Sequence, residues 1–160
     1  MFSEIIKYSY QYLLKPVLFQ FDPEMVHVAM TSFGELLEEQ KWAKNFLKNN
    51  LVVSSSLISQ TAAGIKFNSP IGLSAGFDYD AKLTQISSSL GFGFQSIGTI
   101  TNQAYEGNPK PRLGRLPKSK SLMVNKGFKN PGAEKIAAKL SGKLLIYLLA
   151  PALAGLTQPL

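Results

Sequence analysis

SPIGLSAGFD (Ser69–Asp78), followed by GFGFQSIGTIT (Gly91–Thr101), decides the reading of this chain. Each stretch runs from a turn through a short apolar segment into small residues: Ser74-Ala75-Gly76 in the first, Gly98-Thr99 in the second. Between them Asp80–Leu90 reads as a helix, with Ala81, Leu83, Ile86 and Leu90 toward the interior. A strand, a helix and a parallel strand form a βαβ unit, which is right-handed. Strand ends that finish in Gly, Ala and Ser let a flat ring or a phosphate approach the backbone N–H groups. They read as the mouth of a parallel α/β barrel, whose sites lie at the C-terminal ends of the strands. Thr99 adds a hydroxyl donor and acceptor there. Tight helix–strand packing selects the same small residues, so spacing alone leaves both readings open.

Working outward, residues 1–50 read as helical. Met1–Pro16 carries Glu4 and Lys7 inside its apolar stretch, so it lacks the clean apolar core of a secretory signal. It reads as a short amphipathic helix with Phe2, Ile5, Ile6, Tyr10, Leu13 and Leu14 on one face. Asp22-Pro23-Glu24 is a helix start: Asp caps, Pro fits the first turn and Glu suits the positive end of the dipole. The helix from Met25 to Gln40 places Val26, Met30, Phe33 and Leu37 at helical spacing, and another covers Trp42–Asn49. These helices are either packing elements or an apolar platform that meets a membrane. Beyond them, Ser54–Thr61 and Ile65–Phe67 read as a hairpin, Ile71–Ala75 and Phe94–Ile100 as strands, and Gly132–Leu140 as a helix. Residues 101–131 form a long loop, of the kind that is functional or disordered. The expected organisation is a helical extension over 1–50, an incomplete barrel over 51–143 and an apolar tail over 144–160.

Composition removes several chemistries. The chain has no cysteine, which excludes disulfides and thiolate ligands, and its only histidine, His27, excludes a multi-histidine metal site. Residues 1–100 hold 7 Lys/Arg and 8 Asp/Glu, a net −1; residues 101–143 hold 10 and 2, a net +8. A local excess of this kind suits an anionic ligand or membrane surface, or a solvated loop. Without aromatic–basic interleaving or a recognition helix, no nucleic-acid partner is expected. Arg112 and Arg115 have the rigid fork that suits carboxylates and planar ligands. Asp78 and Asp80 read as an acid pair, or Asp80 as a cap for the following helix.

In this order FQFDPEMVH, SPIGLSAGFDYD, GFGFQSIGTIT, GNPKPRLGRL and NKGFKNPG resemble the quinone-dependent, class 2 dihydroorotate dehydrogenases over residues 5–140. The resemblance implies the N-terminal part of an FMN-binding (β/α)8 TIM barrel. A small helical extension precedes it, lies on the membrane and forms a quinone tunnel. The activity implied is oxidation of dihydroorotate to orotate in pyrimidine synthesis, with electrons passed through FMN to a membrane quinone. By the same resemblance Ala75, Gly76, Phe77, Asp78 and Thr99 contact FMN. Tyr79, Asn125, Gly127 and Phe128 stand in the substrate region, and His27 and Arg115 match quinone-pocket positions. The expected location is peripheral, on the cytoplasmic face of the cell membrane.

Two positions depart from the family pattern. A lysine usually follows the Gly-hydrophobic-Asp of the first loop, where this chain has Tyr79, which is not cationic near neutral pH. The usual Asn-Arg-x-Gly-Phe is shortened by one residue to Asn125-Lys126-Gly127-Phe128. A complete barrel takes about 250 residues, and the family's catalytic serine base and FMN phosphate site are expected beyond residue 160. The chain alone is therefore expected to be inactive. Leu144–Leu156 is uncharged and contains Pro151; it is short for a membrane span, which needs about 20 apolar residues. Codons exist for residues 149–160 that, read one base earlier, spell Ile-Gly-Ala-Ser-Ile-Gly-Arg-Thr-Asn-Ser-Ala-Pro, similar to the family's next strand and FMN loop. The tail is accordingly expected to be frameshifted from between Ser141 and Leu148. The alternatives carried forward are a non-catalytic membrane-surface protein and another FMN-barrel oxidoreductase.

Overall fold

The structure is a computed structural model that describes the backbone of residues 2–143 and 148–154, and side chains within residues 4–143. The first helical run comprises α1 (Phe2–Ser9), a π-helical turn over Tyr10–Leu14, and α2 (Lys15–Leu18). Its apolar residues Ile5, Leu13 and Val17 are more than half exposed. Helix α3 (Pro23–Glu38) starts where the sequence indicates, with the Met25 N–H donating to the Asp22 carboxylate at 2.9 Å. Helix α4 spans Lys41–Leu51.

The chain then enters a hairpin of β1 (Gln60–Ala62) and β2 (Ile65–Phe67), paired antiparallel. Its two turn residues, Ala63 and Gly64, both have positive φ, as the primed turns of tight hairpins require. The expected strand over 54–61 is reduced to residues 60–62. The reason is local: the Ser55 hydroxyl accepts from Leu57 N–H and its carbonyl from Ile58 and Ser59, which closes a turn instead.

Strands β3 (Gly72–Leu73) and β4 (Phe94–Thr101) are parallel neighbours, as expected. The helix expected over Asp80–Leu90 does not form; only a 3₁₀ turn at Ser87–Leu90 is present. Three features displace it. Ala81 has φ +54°, outside the right-handed helical region. The Asp78 carboxylate accepts from Lys82 N–H at 2.8 Å and Leu83 N–H at 2.9 Å, holding the backbone in a turn. Ser87, Ser88 and Ser89 favour caps and turns over helix interiors. Gly91, at φ +98°, ends the segment.

The long loop also differs from expectation: it contains an antiparallel hairpin, β5 (Leu113–Leu116) and β6 (Ser121–Val124). Helix α5 (Ala133–Leu140) follows, and β7 (Leu148–Ala154) pairs parallel to β4, giving the order β3-β4-β7. Much of the apolar tail is thus strand, and Pro151 sits on an edge strand, the position a sheet tolerates for it. Tail residues 144–147 and 155–160 lie outside the described residues. Among the described strands there is no closed barrel; the fold is α/β with a three-stranded parallel sheet. Ala81, Ile97, Ile100 and Ile136 form the buried centre, with Ala133 and Leu140 against it.

The uneven charge has a structural counterpart. Three carboxylates of α3 receive cations from the basic second half: Glu24 from Arg112 and Lys129, Glu35 from Lys139, and Glu38 from Lys143. Helix α3 is fastened to the long loop and to the α5 region through these pairs.

Candidate functional site

The loop after β3 turns tightly, with Phe77 N–H donating to Ser74 C=O at 3.0 Å. Ala75 is half-buried and Gly76 exposed, and a Cβ placed on Gly76 would meet nothing within 4 Å. The backbone there faces open space. Thr99, half-buried, lies near the C-terminal end of the neighbouring β4, after a cis Gly98–Thr99 peptide. The first loop and Thr99 therefore stand at the same end of the parallel sheet. Phe77 is exposed, whereas Asp78 is buried. The Asp78 carboxylate accepts from Lys82 N–H, Leu83 N–H and the Gln95 side-chain amide. It shapes the loop, and a ligand at this loop would meet backbone rather than the Asp78 side chain.

Tyr79 is buried between two other elements. The His27 ring of α3 stacks on it at 5.7 Å between centroids, and Lys126 Nζ stands 3.9 Å from its centroid. A cation over an aromatic face is attracted by the ring quadrupole. Burial pushes the Tyr79 hydroxyl up to about 12 and the Lys126 ammonium down to about 8. The His27 ring contacts the Phe77 C=O through Nε2 at 2.7 Å and meets Phe77 edge-on, while its buried Nδ1 has no partner among the described residues. Burial lowers its pKa below the usual value.

The loop at Asn125 is held from two sides. Asn125 N–H donates to Arg112 C=O at 2.8 Å, and Asn108 Nδ2 donates to both Asn125 C=O and Oδ1. With its oxygen engaged, the Asn125 amide nitrogen is left to donate elsewhere. Gly127 adopts φ +66° with Asn108 close beside it, and Phe128 is exposed. Arg115 packs against the end of the first helical run: its guanidinium is 4.6 Å from the Phe19 ring centroid and donates to Phe21 C=O at 2.7 Å.

Three side chains are essential to this arrangement; the sequence marked Arg112 only as suited to carboxylates and planar ligands, and gave Lys126 and Asn130 no role at the site. Arg112 is buried on Glu24, Lys126 covers Tyr79, and Asn130 ties the end of β4 to α5. Asn130 Oδ1 accepts from Thr101 N–H and Gly132 N–H, while its amide donates to Thr101 Oγ1. Asn130-Pro131-Gly132 was legible as a turn; the pairing of Arg112 with Glu24 had no local signature.

A family model described as dihydroorotate dehydrogenase matches residues 57–148. A dihydroorotate dehydrogenase (quinone) from Christiangramia forsetii is 40% identical over 131 residues, covering 82% of this chain and 38% of the relative. One from Trichormus variabilis is 40% identical over 141 residues with the same coverage. The crystal structure of DHODH in complex with ferulenol from Eimeria tenella aligns with a TM-score of 0.63 and 33% identity, over 74% of this chain and 30% of that one. The chain thus spans 38% of the length of these curated relatives.

Proposed function

This chain belongs to the dihydroorotate dehydrogenase family, and we propose that it furnishes the flavin-facing and substrate-facing loops of a quinone-dependent dihydroorotate dehydrogenase. In this reading residues 51–143 are the N-terminal part of a (β/α)8 barrel, and residues 1–50 are a quinone-binding helical extension. The observation that carries it is the open backbone at Gly76, at the same end of the parallel sheet as Thr99.

The residues present fit FMN. A Cβ-free backbone allows close approach of a flat ring, and Thr99 offers a hydroxyl at the same end of the sheet. Ala75, Gly76 and Phe77 would hold the flavin through backbone, and Asp78 would act by fixing the loop. When bound, FMN supplies the acceptor for two electrons from dihydroorotate and passes them to the quinone. Asn125 would offer its free amide N–H to substrate oxygen, with Gly127 and Phe128 shaping that loop and Tyr79 forming its buried floor. His27 and Arg115 would border the quinone. No residue of this chain is assigned as catalytic base.

The exposed apolar face of α1 and α2 supports a peripheral place on the cytoplasmic membrane surface. Among the described residues no helix is long and apolar enough to cross a membrane, and membrane contact would be interfacial. A hybrid tests the reading: residues 57–143 of this chain replace the aligned segment of the Christiangramia forsetii relative. Dihydroorotate-dependent quinone reduction supports it; a folded hybrid without that activity contradicts it. Tyr79 favours one second reading, a different substrate on the same flavin barrel, and the hybrid assayed against a panel of cyclic imides and enoates separates the two.

A further inference from the structure

Asn108 precedes β5 and Asn125 follows β6, so the hairpin brings the two side by side. The backbone of Asn108 is held at both of its polar groups. Its N–H donates to Lys126 C=O at 3.1 Å, and its C=O accepts from Arg112 Nη1 at 2.9 Å. Its side chain fills the space beside Gly127, where a Cβ would lie 2.9 Å from Asn108 Oδ1. The Asn108 carboxamide is thereby aimed at Asn125.

Hydrogen-bond chemistry fixes which way round each amide stands. One end of the Asn108 amide lies 3.1 Å from the Asn125 backbone carbonyl. A carbonyl only accepts, so that end is the NH2. The same NH2 lies 2.9 Å from the Asn125 side chain, whose facing atom is therefore the acceptor Oδ1. At the other end Asn108 Oδ1 accepts from the Tyr105 hydroxyl at 3.2 Å. The bonds run one way, from Tyr105 through Asn108 to Asn125, and end on the Asn125 NH2. That NH2 has no acceptor among the described residues. We infer that Asn108 is a positioning residue for substrate. By occupying Asn125 Oδ1 it turns the Asn125 NH2 outward, so the loop reads an acceptor oxygen, carbonyl or carboxylate, and refuses an N–H at that place. This rests on the proposed place of Asn125 against substrate and adds what sets the polarity of that contact.

Asn108→Asp keeps the shape of the side chain but leaves it only able to accept. Asn125 must then turn its NH2 toward the new carboxylate and its oxygen toward the ligand. In the hybrid described above, orotate binding is read from the shift it causes in the flavin spectrum. Asn108→Asp should weaken binding by roughly tenfold or more at unchanged flavin content. Tyr105→Phe, which leaves the backbone contacts of the loop intact, should weaken it roughly threefold. With Asn125→Ala in place neither change should weaken orotate further, because both act through Asn125. Losses that multiply instead, or an Asn108→Asp hybrid that binds orotate like its parent, overturn the inference. Where Asn108→Asp costs the fold or the flavin, Tyr105→Phe decides by the same two comparisons. In the full chain, side-chain amide exchange by NMR gives a readout without flavin: the Asn108 NH2 should exchange more slowly than the Asn125 NH2, and the reverse order overturns the one-way chain. A parent hybrid that holds flavin but ignores orotate overturns the place of Asn125 and the inference together.

Discussion

Glu24 and Arg112, 88 residues apart, form a buried, side-on ion pair. Arg112 Nε is 2.9 Å from Oε2 and Nη2 is 2.8 Å from Oε1, while Nη1 donates to the carbonyls of Glu106 and Asn108. One guanidinium thus joins α3 to the loop that carries Asn125. Removing one member of a buried pair leaves the other charge without compensation, at a cost of about 3 kcal/mol or more. Glu24→Gln should therefore lower the urea midpoint strongly, whereas replacing both residues by Met should cost far less.

The same pair sets an acid limb. The hydrogen bond from Arg112, reinforced by its charge, holds the Glu24 carboxyl down to about 2, against an ordinary value of 4.5. A depressed carboxyl contributes stability above its unfolded value and loses it as pH falls through the folded one. Urea midpoints should drop between about pH 4.5 and pH 2, and Glu24→Gln should lack that component. An unchanged acid limb in the variant would remove Glu24 as its source.

His27 should remain neutral at pH 7 with the proton on Nε2, because that nitrogen meets the Phe77 carbonyl. Burial lowers its pKa, so the unfolded chain takes up the proton first as pH falls below 6.5, and stability declines there. An imidazole Hε1 titration by NMR should give a midpoint below 6.5, with nitrogen shifts of the Nε2–H tautomer. A midpoint above 6.5 would contradict the buried contact.

Lys126 contributes with the same sign at the alkaline end of the pH scale. Its folded value of about 8, lowered chiefly by burial, lies below the ordinary 10.5. Between those values the unfolded chain holds more protons, so stability rises with pH. Lys126→Met should flatten that rise in urea midpoints taken from about pH 8 to about pH 10.

Gly107 is required by its backbone. It adopts φ +87°, and a Cβ there would lie 2.6 Å from the Lys126 carbonyl oxygen. Gly107→Ala should cost about 1–3 kcal/mol and loosen the Asn125 loop, seen as faster amide exchange over residues 106–127.

What the sequence made legible follows from the range of each interaction. The Asp22 cap, α3 and β4 depend on neighbours within a turn or on simple periodicity, and they stand where expected. The helix over 80–90 failed because apolar spacing was right but the Asp78 side chain captured the backbone N–H groups. The β5–β6 hairpin was hidden by Pro, Lys and Ser in the segment between and around its strands. The +8 excess suggested an anionic partner, yet Arg112, Lys129, Lys139 and Lys143 meet α3 carboxylates. That pairing is tertiary and leaves no periodic trace. At the site, the small residues at Ser74-Ala75-Gly76 were legible, whereas Lys126 over Tyr79 depends on two loops meeting.

The most direct test of the flavin site is the flavin-to-protein absorbance ratio of the purified hybrid carrying residues 57–143. One FMN per chain is predicted, with flavin lost from a folded Gly76→Val hybrid because the new side chain fills the open space at that backbone. A folded hybrid that is flavin-free, or a Gly76→Val hybrid that keeps its full flavin content, would contradict it.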